Sequence, residues 1–223
     1  MEFPVVTSGR SHVDRFVNEI APLVVNEYIK RRKNGERTIY PSTVIAQASL
    51  ESGYNINAKT LFGIKGAGIV LDTSEYVNGE YVNIKDSFRC YPTVAASIQG
   101  YYDLMQADRY IPATETSDYK EECRQMQACG YATAPDYADN LIDITDRYNL
   151  TVFNDYALFV LRRDENEEIV MDDVNIEELA DRIYNGDFGN GRENRAGEFE
   201  KIGFDKDVYE AAQALCNKKY YDI

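Results

Sequence analysis

Apolar residues recur at helical spacing in several stretches of the chain. Between His12 and Arg32, Phe16, Ile20, Leu23 and Val24 form one stripe, with Pro22 marking a point where the helix kinks or restarts. From Pro135 to Tyr148, the residues Tyr137, Leu141, Ile144 and Tyr148 recur at i, i+4, i+7 and i+11, and Pro92 to Met105 reads as another helix. A shorter helix rich in small residues spans Ser42 to Ser52. Ser42 or Thr43 can cap it behind Pro41, and Gly53 stops it. The pattern then changes. Thr73–Val77 and Glu80–Ile84 flank Asn78-Gly79, a two-residue hairpin signal that pairs Val77 with Glu80 and Glu75 with Val82. The expected fold class is mostly α (α+β), a helical domain with one small β-hairpin.

Periodicity weakens after Asn149, and the charge run Arg162–Glu168 suits a solvated connector. Order returns in the tail. Asn175 and Glu178 make an N-x-x-E start, and Ile176, Leu179, Ala180, Ile183 and Tyr184 follow at helical spacing up to Gly186. A second short helix covers Glu193 to Ile202 and stops at Gly203. Asp205 can cap a third, which carries Val208, Tyr209, Ala212 and Leu215. The expected organisation is therefore a helical domain over residues 1–152, a linker over 153–173 and a small three-helix bundle over 174–223. A bundle of that size lies near the lower limit for independent folding, so it needs tight packing or a neighbour.

Composition narrows the chemistry. The chain has 223 residues, 44% of them hydrophobic, which is enough for a packed core. Its net charge of -14 argues against nucleic acid bound over a broad surface, and residues 153–223 carry 18 acids against 9 bases. No run approaches 18 apolar residues, so the chain is not expected to span a membrane. Its first ten residues lack a signal-peptide pattern, so the chain is expected to start in the cytosol. Cys90, Cys123, Cys129 and Cys216 show no C-x-x-C spacing, and His12 is the only histidine. A metal site and a Cys-His or Ser-His nucleophile are therefore not expected, and no cofactor is implied. By elimination the chemistry falls to carboxylates and tyrosines.

Among the carboxylates, Glu51 has the most unusual setting. It occupies the last turn of the 42–52 helix, at the edge of a stripe with Val44 and Ala48. The carbonyl end of the helix dipole and partial burial both act to raise its pKa and keep a proton available near neutrality. Position alone leaves an even alternative, in which Glu51 is one more solvated acid among 38.

Five segments taken in order resolve that choice. They are Ala46-Gln47-Ala48-Ser49-Leu50-Glu51-Ser52-Gly53, Leu61-Phe62-Gly63-Ile64-Lys65-Gly66, Glu75-Tyr76-Val77-Asn78-Gly79, Phe88-Arg89 with Tyr91, and Gly130-Tyr131-Ala132-Thr133 with Pro135 and Tyr137-Ala138. In these the chain resembles the glucosaminidases of glycoside hydrolase family 73, which cleave peptidoglycan. The resemblance implies a lysozyme-like domain that cuts the β-1,4 bond between N-acetylglucosamine and N-acetylmuramic acid. On that likeness Glu51 matches the general acid and Glu75 the second carboxylate. Tyr131 matches a groove tyrosine, with Phe62 and Tyr137 as groove or supporting residues; core packing is an equal reading for those two. The chain departs from the family in having Tyr54 where a Trp is usual, Thr60 where an Asn is usual and Ala134 where an Asp is usual. Tyr54 is kept in the substrate-binding set, and none of the three departures removes a proposed catalytic group.

The tail is similar to the short three-helix wall-binding repeats of some phage lysins. The likeness rests on Asn185-Gly186-Asp187-Phe188-Gly189-Asn190-Gly191 and Arg195, with Phe188 in place of the usual Trp. It implies Phe188, Asn190 and Arg195 as wall-binding residues, against the alternative of a helical appendage that only completes the fold. A single repeat should bind weakly and gain from the catalytic groove or from homo-oligomerisation. Together the two likenesses imply an endolysin-type hydrolase of phage or prophage, whose partner is bacterial peptidoglycan. The alternatives are a lytic transglycosylase and a non-hydrolytic wall-binding virion protein.

Overall fold

The structure, a computed structural model, describes residues 1–57, 60–168, 176–185, 192–201 and 206–221. The chain divides into two compact units, Met1–Leu158 and Phe159–Ile223. In the first, α1 (Ser11–Lys33) and α2 (Pro41–Ser52) precede a hairpin of β1 (Lys65–Val77) and β2 (Glu80–Phe88). There follow α3 (Val94–Leu104), a 3₁₀ turn at Asp108–Tyr110, α4 (Ile111–Thr114), α5 (Tyr119–Ala128) and α6 (Tyr137–Arg147). The final helix of this series, α7 (Val152–Glu168), runs across the division. A mostly α fold with one antiparallel hairpin is thus what forms.

The short α2 is the hub. It packs against α1, α5 and α6, and every residue from Pro41 to Ser49 is buried. Alanine and serine make this possible, because small side chains let neighbouring helices approach on several sides. Its start is not capped by Ser42 or Thr43. Partners from distant elements serve instead: Asn154 of α7 accepts from the Ser42 N–H at 2.8 Å, and both carboxyl oxygens of Glu122 in α5 accept from the Tyr40 N–H at 3.1 Å. Pro41 at the first helical position needs no partner. At the other end Gly53 adopts φ 60, the left-handed conformation that closes the helix just beyond Glu51.

Glu122 is buried, and burial favours its protonated form. Burial pushes its carboxyl up to about 8, while hydrogen bonds from Thr43 and Tyr40 pull the other way. An unfolded glutamate titrates near 4.5, so folding favours the protonated form. The stability this group contributes is complete below that value and declines as pH rises toward about 8. Glu122→Gln should therefore flatten the fall in stability between about pH 5 and pH 8, read as urea midpoints. Parallel curves for the two chains would refute this.

Elsewhere in this unit, α1 continues unbroken through Pro22. The buried Arg31 ties α1 to α3, bonding Glu27 at 2.7 Å and Asp103 at 2.7 Å, with Glu36 at 2.8 Å. The hairpin keeps the expected register, Val77 with Glu80 and Glu75 with Val82, but its strands are longer than the pattern indicated. An irregularity between Lys65 and Ile69, across Gly66 and Gly68, hides the first part of β1 from a period-two reading. Three helices were not expected at all, the short α4 together with α5 and α7. The first part of the stretch taken as a linker, up to Glu168, is helical, and the division between units falls inside it.

The second unit contains α8 (Ile176–Asn185), α9 (Arg192–Lys201) and α10 (Lys206–Cys216), the last continuing as a π-turn through Tyr221. Its core gathers Leu179, Ala180, Ile183, Phe199, Val208, Tyr209, Ala212 and Cys216. The expected helix starts at Asn175 and Asp205, and the stops at Gly186 and Gly203, lie outside the described residues. All four cysteines are free, two of them buried. Among the described residues, no helix is long and apolar enough to cross a membrane, and no cluster of His, Cys, Asp and Glu could hold a metal ion.

Candidate active site

A groove of about 660 Å³ opens in the first unit, where the end of α2, the hairpin and the loop between α5 and α6 come together. Glu51 and Glu75 both line it, as do Tyr131 and Tyr137.

Glu51 is placed by α2 and by a buried chain of hydrogen bonds. Tyr137 Oη donates to Glu51 Oε1 at 3.1 Å and accepts from Gln47 Nε2 at 2.9 Å; Gln47 Oε1 in turn accepts from Tyr101 Oη. Gln47 and Tyr101 are fully inaccessible, so this chain is anchored in the core. The Glu51 side chain opens on the groove yet is crowded by protein. That burial raises its carboxyl from 4.5 to about 7, against the opposing pull of the Tyr137 hydroxyl. Burial, one of the two causes expected from the sequence, is what raises it here. Gly63 makes the fit possible: a Cβ there would stand 2.9 Å from Glu51 Oε2, and its backbone adopts φ +58.

Glu75 has the opposite electrostatics. Lys65 Nζ lies 2.6 Å from its Oε1, and Thr133 Oγ1 donates to its Oε2 at 2.8 Å. These contacts, the lysine above all, hold the carboxyl below its ordinary value of 4.5. Thr133 Oγ1 also accepts from the Tyr76 N–H at 3.0 Å, so the hairpin is fastened to the loop before α6. Asp86, 3.0 Å from Lys65 Nζ, completes the cluster. One carboxyl of the groove thus keeps its proton to higher pH than usual while the other favours its charged form, the division that glycoside hydrolysis requires.

The aromatic residues divide into groove and support. Tyr131 and Tyr137 stack with ring centroids 6.0 Å apart, and Tyr131 Oη donates to the Phe62 carbonyl at 2.8 Å. Phe62 itself is 1% exposed and packs on Tyr101 at 4.6 Å. Its side chain therefore supports the wall and does not face the groove. Tyr54 is also away from the groove: its ring meets His12, Phe16 and Tyr148 edge-on at about 6 Å. Ala134, the departure from Asp, does line the groove, with Asp136 two residues on. In the second unit Arg195 donates to Gln213 Oε1 at 3.1 Å and borders a hollow of about 340 Å³ with Tyr209, Glu210 and Asn217. Phe188 and Asn190 lie outside the described residues. Roles for Lys65, Thr133 and Gln47 were not read from the sequence although all three fall inside the quoted segments, because their partners Glu75 and Tyr137 lie 10 to 90 residues away along the chain.

Tyr137→Phe removes the donor to Glu51 and leaves the Gln47 amide without a partner. The pKa of Glu51 should rise and the alkaline limb of any pH–rate profile should move upward. Stability should fall by about 1–3 kcal/mol, the cost of an unsatisfied buried polar group. An unchanged limb, measured alongside thermal unfolding, would count against the hydrogen bond.

Two carboxyl groups of opposite electrostatics and the stacked Tyr131 and Tyr137 thus share one groove. The chain belongs to the glucosaminidase family: residues 28–150 match the model described as mannosyl-glycoprotein endo-beta-N-acetylglucosaminidase. It is 33% identical over 132 residues to the exo-glucosaminidase LytG of Bacillus subtilis, covering 52% of this chain and 47% of that protein. It is 30% identical over 168 residues to a probable N-acetylmuramidase of Lactococcus lactis, covering 68% of this chain and 37% of the relative. Among solved structures, a peptidoglycan hydrolase mutant from Sphingomonas sp. A1 superposes with a TM-score of 0.52 at 28% identity, over 64% of this chain and 98% of that one. The chain thus spans less than half the length of both curated relatives.

Proposed function

We propose that the first unit hydrolyses bacterial peptidoglycan at the β-1,4 bond between N-acetylglucosamine and N-acetylmuramic acid, with Glu51 as general acid. The observation that carries this reading is the contrast within one groove between Glu51, raised to about 7, and Glu75, held below 4.5. Glu51 delivers its proton to the glycosidic oxygen as the bond to the anomeric carbon breaks. Ionised Glu75 then serves in one of two ways. It takes a proton from a water that attacks from the other face, with inversion, or it steadies the substrate's own acetamido group while that group attacks, with net retention. The half-buried Tyr131 offers the sugar an aromatic surface, while the buried Tyr137 positions Glu51.

We further propose that the second unit is a wall-binding module of the lysin type and that the protein acts as a phage or prophage lysin. Support comes from the Asn185–Gly191 segment with Arg195 and from three helices closed around Phe199. Binding of purified sacculi lost on Arg195→Ala, with cleavage of soluble strands retained, is the expected result.

Mass analysis of digested sacculi tests the bond assignment. New reducing N-acetylglucosamine ends support it. Anhydro-muramic products would establish the transglycosylase reading instead, and reducing N-acetylmuramic acid ends would align the chain with the probable N-acetylmuramidase relative.

A further inference from the structure

The groove contains a cation that the proposed chemistry does not use. Among the described residues lining it, Lys65 and Arg109 are the basic ones, and Lys65 is neutralised by Glu75 and Asp86. Arg109 has no carboxylate partner among the described residues. It sits on the 3₁₀ turn Asp108–Tyr110, where its neighbour Asp108 turns away to Arg37 at 3.2 Å. Its Nη2 donates to Tyr110 Oη at 2.6 Å, and its guanidinium carbon lies 4.5 Å from the centre of the Tyr110 ring. Tyr110 is buried, so the guanidinium rests on a fixed aromatic plate. The Tyr110 ring lies 6.3 Å from that of Tyr131, and Arg109, Tyr110 and Tyr131 line the same groove.

We propose that Arg109 is a carboxylate-binding residue of the groove, gripping an anionic group carried by the glycan. This rests on the peptidoglycan reading above. A guanidinium held by one donor to a tyrosine keeps its other N–H groups for a planar acceptor, and a carboxylate fits that fork with two parallel bonds. The need for such a group follows from the surroundings. Glu75 and Asp136 line the same groove, and the chain carries a net charge of -14, so an anionic polymer gains from a groove cation that no carboxylate neutralises. The substrate offers carboxylates from two sources, the lactyl group of muramic acid where it bears no peptide and the acidic groups of the peptide where it does. Arg109 would thereby favour peptidoglycan over a neutral glycan such as chitin.

Binding of soluble glycan strands to the Glu51→Gln chain, with and without Arg109→Ala, tests the proposal. Three forms of strand are needed: peptide-bearing strands, strands stripped of peptide by an amidase, and peptide-bearing strands whose carboxylates are capped as methylamides. Arg109→Ala should weaken binding about tenfold to at least one uncapped form, and less than about twofold to the capped form. The uncapped form that responds identifies the source of the carboxylate. Arg109→Lys should recover part of the loss, because it keeps the charge without the fork. Equal losses on all three forms, no loss on any, or no binding by the parent chain would overturn the proposal. Cleavage is scored separately with the natural sequence: strands bound but never cut would overturn the hydrolase reading and leave the role of Arg109 standing.

Discussion

Glu51→Gln is expected to lower kcat on peptidoglycan by about 10²–10⁴-fold, the usual contribution of a positioned general acid, while leaving the fold intact. Glutamine keeps the shape of the side chain and the acceptor for the Tyr137 hydroxyl, so the hydrogen-bonded chain through Gln47 to Tyr101 survives. What it loses is the proton. The natural chain should show an alkaline limb in its pH–rate profile near 7, where Glu51 gives up that proton. Folding raises this pKa, so the glutamate's contribution to stability is complete below 4.5 and declines as pH rises toward about 7. The variant should therefore unfold at the same temperature as the natural chain, or higher, above about pH 7. Substantial residual cleavage, or a lower melting temperature at alkaline pH, would remove Glu51 from its role.

Glu75→Gln should also lower kcat severely, by about 10²-fold or more, through the loss of the ionised partner. The acid limb of the natural chain should lie below 4.5, because Lys65 and Thr133 hold the Glu75 carboxyl in its charged form. Two controls separate chemistry from architecture. Thr133→Val removes a bond to Glu75 and the acceptor of the Tyr76 N–H, so it loosens the hairpin while leaving the carboxylate in place. A loss with Glu75→Gln much larger than that with Thr133→Val assigns the effect to the charge; comparable losses would make Glu75 only a fastening for the hairpin. The anomer formed, read by NMR, distinguishes water attack from acetamido attack.

Much of this site was legible from the residues, and the exceptions have physical causes. The hairpin was fixed by Asn78-Gly79, whose turn type sets the register that places Glu75. The helices α1 and α6 carry clean apolar stripes and were found. By contrast α5 buries Glu122 along with Cys123 and Met126, so a charged residue stands where the pattern requires an apolar one. The charge run at the end of α7 reads as solvated connector, although arginine and glutamate are good helix formers and the helix simply continues through it. Phe62 and Tyr54 look alike as aromatics beside a proposed acid, and only their packing shows that both face away from the groove. Arg109 gave no sequence signal, because a three-residue turn between helices has no periodicity to reveal it.

The tether between Asn154 and the start of α2 bears on where the catalytic unit can be cut. The family match ends at residue 150, and the sequence pattern suggests a boundary at 152, yet the Asn154 side chain accepts from the Ser42 N–H and donates to the Ser42 hydroxyl, both at 2.8 Å. A chain ended at either place would leave a buried N–H without its acceptor at one end of the helix whose other end holds Glu51. The smallest autonomous hydrolase should therefore reach past Asn154, and shortening it by those few residues should register at the groove as well as in the melting curve.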